Sequence, residues 1–372
     1  MGRDYIFVRV GSTRDSTPPR DVGSTSDTDG LAGTRLYVYG FPSLYGGAGN
    51  ELHHQIALWQ SLGAEVHLIP SDPGYRDDPL FSEMLATGVV VHELDDFSCI
   101  ERGAPVFGFC NRAFLENIDP IRAHSTNTVF VNCMTWLFDL ELKRMAEGKI
   151  RTFLYQNDDV RAVHSFVLRA QNHSSEVNFL TFVPFFDLSR FPFVAHRSDE
   201  YFGCGRISRQ DADKYASNTL VIYEYFVAPK LKRGLFVGFD QRSREKIGTP
   251  YDWIRTAVDQ NECSQQEFYR HCEIVLQPSD TTENWPRVGL EAMASGSVLI
   301  VDNRGGWRRQ VEHGVTGWLC NHERDFIYYA SKAAYEPDLR MQMALRARDR
   351  VSAIAGPAVS AQSWLEVFRT IL

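Results

Sequence analysis

Apolar residues follow two alternating rhythms along this chain. Short β-rich runs recur as LYVYG (36–40), AEVHLIP (64–70), PVFGF (105–109), NTVFVN (127–132), RTFLYQ (151–156) and NFLTFVP (178–184). Runs of this length, bounded by turn residues, predict buried strands. Between them lie segments with helical spacing. AGNELHHQIALWQSLG sets Leu52, Ile56, Leu58, Trp59 and Leu62 on an apolar face, and TWLFDLELKRMAEG and DDVRAVHSFVLRAQ behave alike. Strand–helix alternation predicts a parallel sheet covered on both faces.

A turn-rich stretch, FFDLSRFPFVAHRSDE (185–200), interrupts the rhythm, which then starts again. YFGCGR, a helix near 211–226, GLFVGF, a helix near 264–271, EIVLQP, a helix from about 287, SVLIVD and GWLC follow in order. Three helical segments close the chain near 323–334, 337–352 and 360–371. The expected organisation is a flexible leader (1–30), a first Rossmann-like domain (31–190), a second (191–355) and a final helix (356–372) crossing back onto the first. Ser12–Gly30 is rich in Ser, Thr, Asp, Gly and Pro, as a flexible leader requires. Tyr5–Val10 reads either as an extra edge strand or as an unstructured terminus. Two doubly wound domains bind ligands at the carboxyl ends of their strands, so the cleft between them is the expected site.

Composition narrows the class. The 372 residues suit two domains. A net charge of −8 argues against a broad nucleic-acid or anionic-membrane surface, while leaving room for a local basic site. No apolar run approaches the ~18 residues of a membrane span, and the first residues lack the apolar core of a signal peptide. The seven cysteines form no CxxC pair and no zinc-like spacing, so a reducing cytoplasm is the expected compartment. A basic stretch, LKRMAEGKIR (142–151), leaves peripheral membrane contact open, although a solvated helix face explains it as well.

Three stretches carry candidate chemistry. YGFPSLYGGAGNE leaves a strand and opens a helix; Gly46, Gly47 and Gly49 allow a tight turn and close approach to an anion or acceptor. It is neither GxGxxG nor a P-loop. GCGRISRQDADK places Arg206 and Lys214 near a strand end, two cations suited to a diphosphate. Asp211 and Asp213 read as capping residues and not as metal ligands. In ENWPRVGLEAMASG, Glu283 precedes a helix whose first turn suits Pro286, and Glu291 lies more than a turn inside it. The two carboxylates would touch different parts of one elongated ligand.

Taken together, ENWPRVGLEAMASGSVLIVDNRGGWRRQVEHGVTGWL (283–319) resembles the Glu-x7-Glu region of the family 4 retaining glycosyltransferases. The likeness is good from Tyr201 onward and loose through GGAGNE. It implies an α/β GT-B fold, two Rossmann-like doubly wound domains facing across a cleft, and transfer of a sugar from a nucleotide-sugar donor to a hydroxyl by front-face attack. By the same resemblance, Glu291 binds the ribose, Glu283 contacts the donor sugar and the reacting carbon, and Arg206 and Lys214 hold the diphosphate. Asn284, Trp285 and Arg287 complete the donor site, and Gly46, Gly47 and Gly49 border the diphosphate and acceptor. No metal or other cofactor is expected.

Departures from the family pattern matter. Trp285-Pro286 stands where Phe-Gly is common, and Lys214 lies eight residues past Arg206, farther than usual. The nearest counterpart to the family's first-domain residue facing the donor sugar is VNCMTW, where Asn132, Thr135 or neither fills that role. Trp59, Trp136 and Trp364 read as core; Trp307 could line the sugar pocket. Competing readings are a GT-B phosphorylase or sugar-nucleotide epimerase, and a non-catalytic interaction protein. The acceptor could be a glycan, a lipid-linked sugar or a natural product, with nucleic acid disfavoured by charge.

Overall fold

The computed structural model describes residues 30–43, 47–172, 176–195 and 197–372. The expected leader and the Tyr5–Val10 run therefore lie outside the described residues, except for Gly30.

Seven strands form the first sheet: β1 (Arg35–Tyr39), β2 (Glu65–Ile69), β3 (Val90–Val91), β4 (Val106–Phe109), β5 (Thr128–Asn132), β6 (Thr152–Tyr155) and β7 (Asn178–Thr181). Their order is β3-β2-β1-β4-β5-β6-β7, and each pair is parallel. The second sheet holds β8 (Tyr201–Ile207), β9 (Leu231–Val237), β10 (Ile254–Ala257), β11 (Ile274–Gln277), β12 (Val298–Asp302) and β13 (Gly317–Cys320). It runs β10-β9-β8-β11-β12-β13, again parallel throughout. Both sheets reverse their winding beside their first strand, between β1 and β4 and between β8 and β11. Those reversals are where open α/β sheets leave a crevice for ligand.

The central strands are buried on both faces, which explains their unbroken apolar composition. β3 and β10 escape the sequence pattern. β3 is two residues long, and β10 buries only Ile254 and Ala257 of IRTA. The helix expected over 211–226 is shorter. Ala212–Lys214 is a single 3-10 turn capped by Asp211, and the helix proper is Thr219–Tyr225.

The tail binds the halves together. Pro337–Ala355 packs Ala347, Val351 and Ala355 into the second-domain core, among Leu290, Met293 and Leu299. Gly356 ends it, and Pro357 starts the last helix, Pro357–Ile371. That helix buries Trp364, Val367 and Phe368 in the first-domain core with Trp59 and Phe107. Trp364 and Trp59 meet edge to face, ring centres 4.9 Å apart. Trp136, expected in the core, is instead 49% exposed; it precedes the helix Asp139–Ala146 and packs only edge-on against Phe138.

Candidate active site

At the second-sheet reversal, the end of β8 and the loop after β11 are tied together. Gln277 Nε2 donates to the Ile207 carbonyl at 2.7 Å. Arg206, the residue before Ile207, is 1% exposed. Its guanidinium lies 3.5 Å from the Tyr215 ring centre and donates to the carbonyls of Pro278 (3.1 Å) and Lys214 (2.6 Å). Burial holds its pKa below the usual arginine value. The structure thus puts Arg206 beneath the site, bracing the backbone of Lys214, and not at its surface as an open phosphate cation.

Lys214 emerges from that brace at the end of the 3-10 turn. Its Nζ donates to Glu283 Oε1 at 2.7 Å, with both side chains about one-fifth exposed. Asp211 caps the turn, accepting from the Asp213 amide at 3.0 Å and pairing with Arg209 at 2.8 Å. The extra residues between Arg206 and Lys214 are therefore spent on a capped turn that aims the lysine at the Glu283 loop.

The Glu283 loop is held by glycines. Gly306 N–H donates to the Glu283 carbonyl at 2.8 Å. A Cβ on Gly306 would lie 2.1 Å from the Asn284 carbonyl oxygen, and one on Gly305 (φ +52°) 2.5 Å from that of Glu283. Only glycine permits this approach. Trp307, next to this pair, is buried at the helix start and has an indole N–H with no partner. Trp285 also packs against the second core, with a buried unpartnered Nε1.

Glu291 sits inside the helix Arg287–Ala294 and is buried. Tyr269 Oη donates to its Oε2 at 2.9 Å, and Gln265 Nε2 at 3.4 Å. Burial raises its pKa, and Arg287 and Tyr269 pull it back. Glu283 and Glu291 thus have separate partners.

Arg287 and Asn284 reach across to the first domain. Arg287 Nη1 donates to Glu51 Oε2 at 2.8 Å, while its Nε and Nη2 are buried without a partner. Glu51 is wholly buried on the first-domain helix Gly47–Ser61. Burial pushes its pKa up, and the Arg287 guanidinium opposes that shift. Gln55 donates to the other Glu51 oxygen, and the Trp364 indole N–H donates to Gln55 Oε1 at 2.6 Å. One buried polar chain therefore joins the motif helix, the glycine-turn helix and the final helix.

Asn284 Nδ2 donates to Gln156 Oε1 at 3.2 Å, and Asn157 Nδ2 donates to both the carbonyl and the side-chain oxygen of Asn284. Gln156 and Asn157 follow β6. They, and not Asn132, carry the first domain to the motif loop. Asn132 is fully buried and donates to both Glu141 oxygens, at 2.9 and 3.0 Å. No sequence motif marks Gln156 or Asn157, and Glu51 ends the GGAGNE stretch without being distinguished within it. Their one signal is position, just past a strand end or a glycine turn.

Gly46 lies outside the described residues. Gly47 and Gly49 open the helix Gly47–Ser61, and a Cβ on Gly49 would sit 3.0 Å from the Ser43 amide nitrogen. Beside this turn, at the β1/β4 reversal, is a cavity of about 540 Å³. His53 pairs with Glu83 at 2.9 Å and His54 stacks on Phe186; burial lowers both imidazole pKa values. One grouping with metal-ligand chemistry occurs among the described residues: ligand atoms of His92, Asp96 and Cys99 lie within 4.8 Å of one another. It follows β3 and takes no part in the Lys214–Glu283 site. No helix among the described residues is long and apolar enough to cross a membrane.

Two parallel doubly wound sheets, with the motif loop at the reversal of the second, have the GT-B fold. Residues 260–350 match the family model described as glycosyl transferases group 1. A human protein, alpha-1,3/1,6-mannosyltransferase ALG2, is 29% identical over 130 residues. That match spans 31% of this chain and only 30% of the human protein. Among solved structures, Anabaena Alr3699/HepE in complex with UDP and glucose has a TM-score of 0.67 at 13% identity, covering 91% of this chain and all of that one. TarM has a TM-score of 0.66 at 9% identity, covering 92% and 99%. A glycosyltransferase from Rickettsia africae reaches 0.65 at 14% identity, covering 91% and 99%. At these identities the structural likeness concerns the fold.

Proposed function

We propose that this chain transfers a sugar from a nucleotide-sugar donor to a hydroxyl acceptor with retained configuration. The observation that carries the reading is the Lys214–Glu283 contact of 2.7 Å at the reversal of the second sheet. In glycosyl transfer the C1–O bond to the diphosphate breaks as positive charge develops on the ring. A carboxylate and an ammonium held side by side match both charges. Glu283 stabilises the sugar carbon, and Lys214 turns to the leaving phosphate when donor enters.

Glu291, held by Tyr269 and Gln265, accepts from the ribose hydroxyls. First-turn amides of the helix Arg287–Ala294 add positive potential at the diphosphate. Charge fixed before the reaction lowers the barrier without reorganisation. The acceptor oxygen attacks the face the diphosphate leaves, and its proton passes to a departing phosphate oxygen. Arg206 positions Lys214 through its backbone carbonyl. HepE is solved with UDP-glucose and TarM with UDP, so a uridine donor is the first to try.

The test is a thermal-shift series with UDP, GDP, ADP, dTDP and their common sugars, without added metal. A true donor raises the melting temperature by mass action. A shift with one nucleotide, lost in Glu291→Ala, supports the reading. No shift with any of them overturns it.

A further inference from the structure

His92, Asp96 and Cys99 meet at the edge of the first sheet. His92 follows the two-residue strand β3, and Asp96 caps the 3-10 turn Phe97–Cys99. Their ligand atoms lie within 4.8 Å of one another, and all three side chains are half-buried, so an ion can reach them. A tetrahedral zinc with bonds of about 2.0–2.3 Å spaces its ligand atoms about 3.3–3.6 Å apart. Closing the group takes side-chain shifts of about 1 Å. Cys99, Cys110 and Cys133 are the cysteines that are not buried, and among the described residues only Cys99 belongs to such a group.

A relay behind His92 points to the same ligand. His92 Nε2 and His67 Nδ1 are 2.9 Å apart, and His67, on β2, is 7% exposed. The other nitrogen of His67, Nε2, lies 3.1 Å from Glu65 Oε1. A carboxylate there keeps the proton on Nε2, so His67 Nδ1 accepts and His92 Nε2 donates. A neutral His92 then carries its lone pair on Nδ1, as a metal ligand must. Such a partner behind a ligating histidine fixes its tautomer and ring orientation. The turn is braced too: Tyr39 Oη donates to Asp95 Oδ1 at 2.5 Å, and Phe97 meets the Tyr39 ring edge to face. Asp96 Oδ1 accepts from the Ser98 amide and hydroxyl, and the Cys99 thiol donates to the Asp96 carbonyl at 3.0 Å. These bonds leave Asp96 Oδ2 for an ion.

We infer that His92, Asp96 and Cys99 bind one Zn²⁺, with water at the fourth position. The inference is independent of the transferase reading. Thiolate, imidazole and carboxylate together suit Zn²⁺, whereas Mg²⁺ and Ca²⁺ take oxygen ligands. On binding, Cys99 gives its thiol proton to solvent and the Sγ–Zn bond forms with no change of oxidation state. The ion ties the turn to the short edge strand, a structural role away from sugar transfer.

The experiment titrates Co²⁺, a spectroscopic stand-in for Zn²⁺, into the full chain after chelation, under a non-thiol reductant. One equivalent should give thiolate-to-cobalt charge-transfer absorption in the near ultraviolet, and Zn²⁺ should abolish it. Cys99→Ser should remove the band. His92→Gln and Asp96→Asn should weaken binding by about tenfold or more, and loss of the relay in His67→Phe by about 10–100-fold. Should a histidine variant fail to fold, Cys99→Ser, which changes one atom, still decides the matter. No band with the parent, a band that survives Cys99→Ser, or an affinity unmoved by His92→Gln and Asp96→Asn overturns the inference.

Discussion

Lys214 Nζ and Glu283 Oε1 stand 2.7 Å apart, although 69 residues separate them in the chain. One comes from a capped turn after β8, the other from a glycine-clasped loop after β11. The contact ties the cation expected at the diphosphate to the carboxylate expected at the sugar.

Glu283→Gln keeps the shape and removes the charge. Loss of one preorganised charge at a transition state costs about 10²-fold in rate. Sugar transfer should fall by about that factor while nucleotide binding persists. Lys214→Ala should do the same, and the double variant should lose less than the product of the two, because paired groups are not additive. A product-forming assay on the four proteins decides it; undiminished transfer by Glu283→Gln removes that residue from the reaction.

The buried ion pair between Arg287 and Glu51 gives a stability prediction. Glu51→Ala leaves Arg287, already with two unpartnered N–H groups, without its carboxylate. Removing one partner of a buried pair costs about 3–5 kcal/mol. Replacing both, Glu51→Leu with Arg287→Met, should recover most of that loss. Urea titration of the parent and the two variants is the measurement, and equal stability of single and double variants would contradict the pairing.

Trp364 tests the crossing of the tail. It is fully buried against Trp59 and donates to Gln55. Trp364→Ala should destabilise by about 3–5 kcal/mol. Near-ultraviolet signals of Trp59 in the first domain should be lost together with those of the second, since the last helix runs on directly from the helix packed in the second-domain core. A loss confined to the second domain would show that the tail docks there.

The strands with unbroken apolar runs were legible from sequence because local pattern alone specifies them. β10 was not, because an edge strand of IRTA buries two side chains and shows no alternation. Arg206 was read as an open cation because strand-end arginines suit phosphate; Tyr215 and two carbonyls, unseen in sequence, absorb it. Asn284 and Arg287 were expected at the donor, and the structure turns both toward Asn157 and Glu51 of the other domain. Contacts made between domains leave no periodicity in either one.

Two buried groups of the first domain give opposite pH dependences that can be separated. Glu141, bonded by Asn132 and the Phe138 amide, is pushed by burial from 4.5 to about 7. Below pH 4.5 it is protonated folded and unfolded, and its contribution is complete. As pH rises toward 7 the unfolded chain releases a proton that the fold keeps, so stability falls, by up to about 3 kcal/mol. His164 is lowered by burial from 6.5 to about 4. Its contribution is complete above pH 6.5 and is lost as pH falls toward 4, when the unfolded chain takes up the proton. The two slopes overlap and oppose each other, so together they leave a nearly flat profile. Glu141→Gln should leave stability rising with pH through this window, and His164→Asn should leave it falling. Urea unfolding at several pH values reads both slopes, and variants that both stay as flat as the parent would show that neither group is held from its ordinary protonation by the fold.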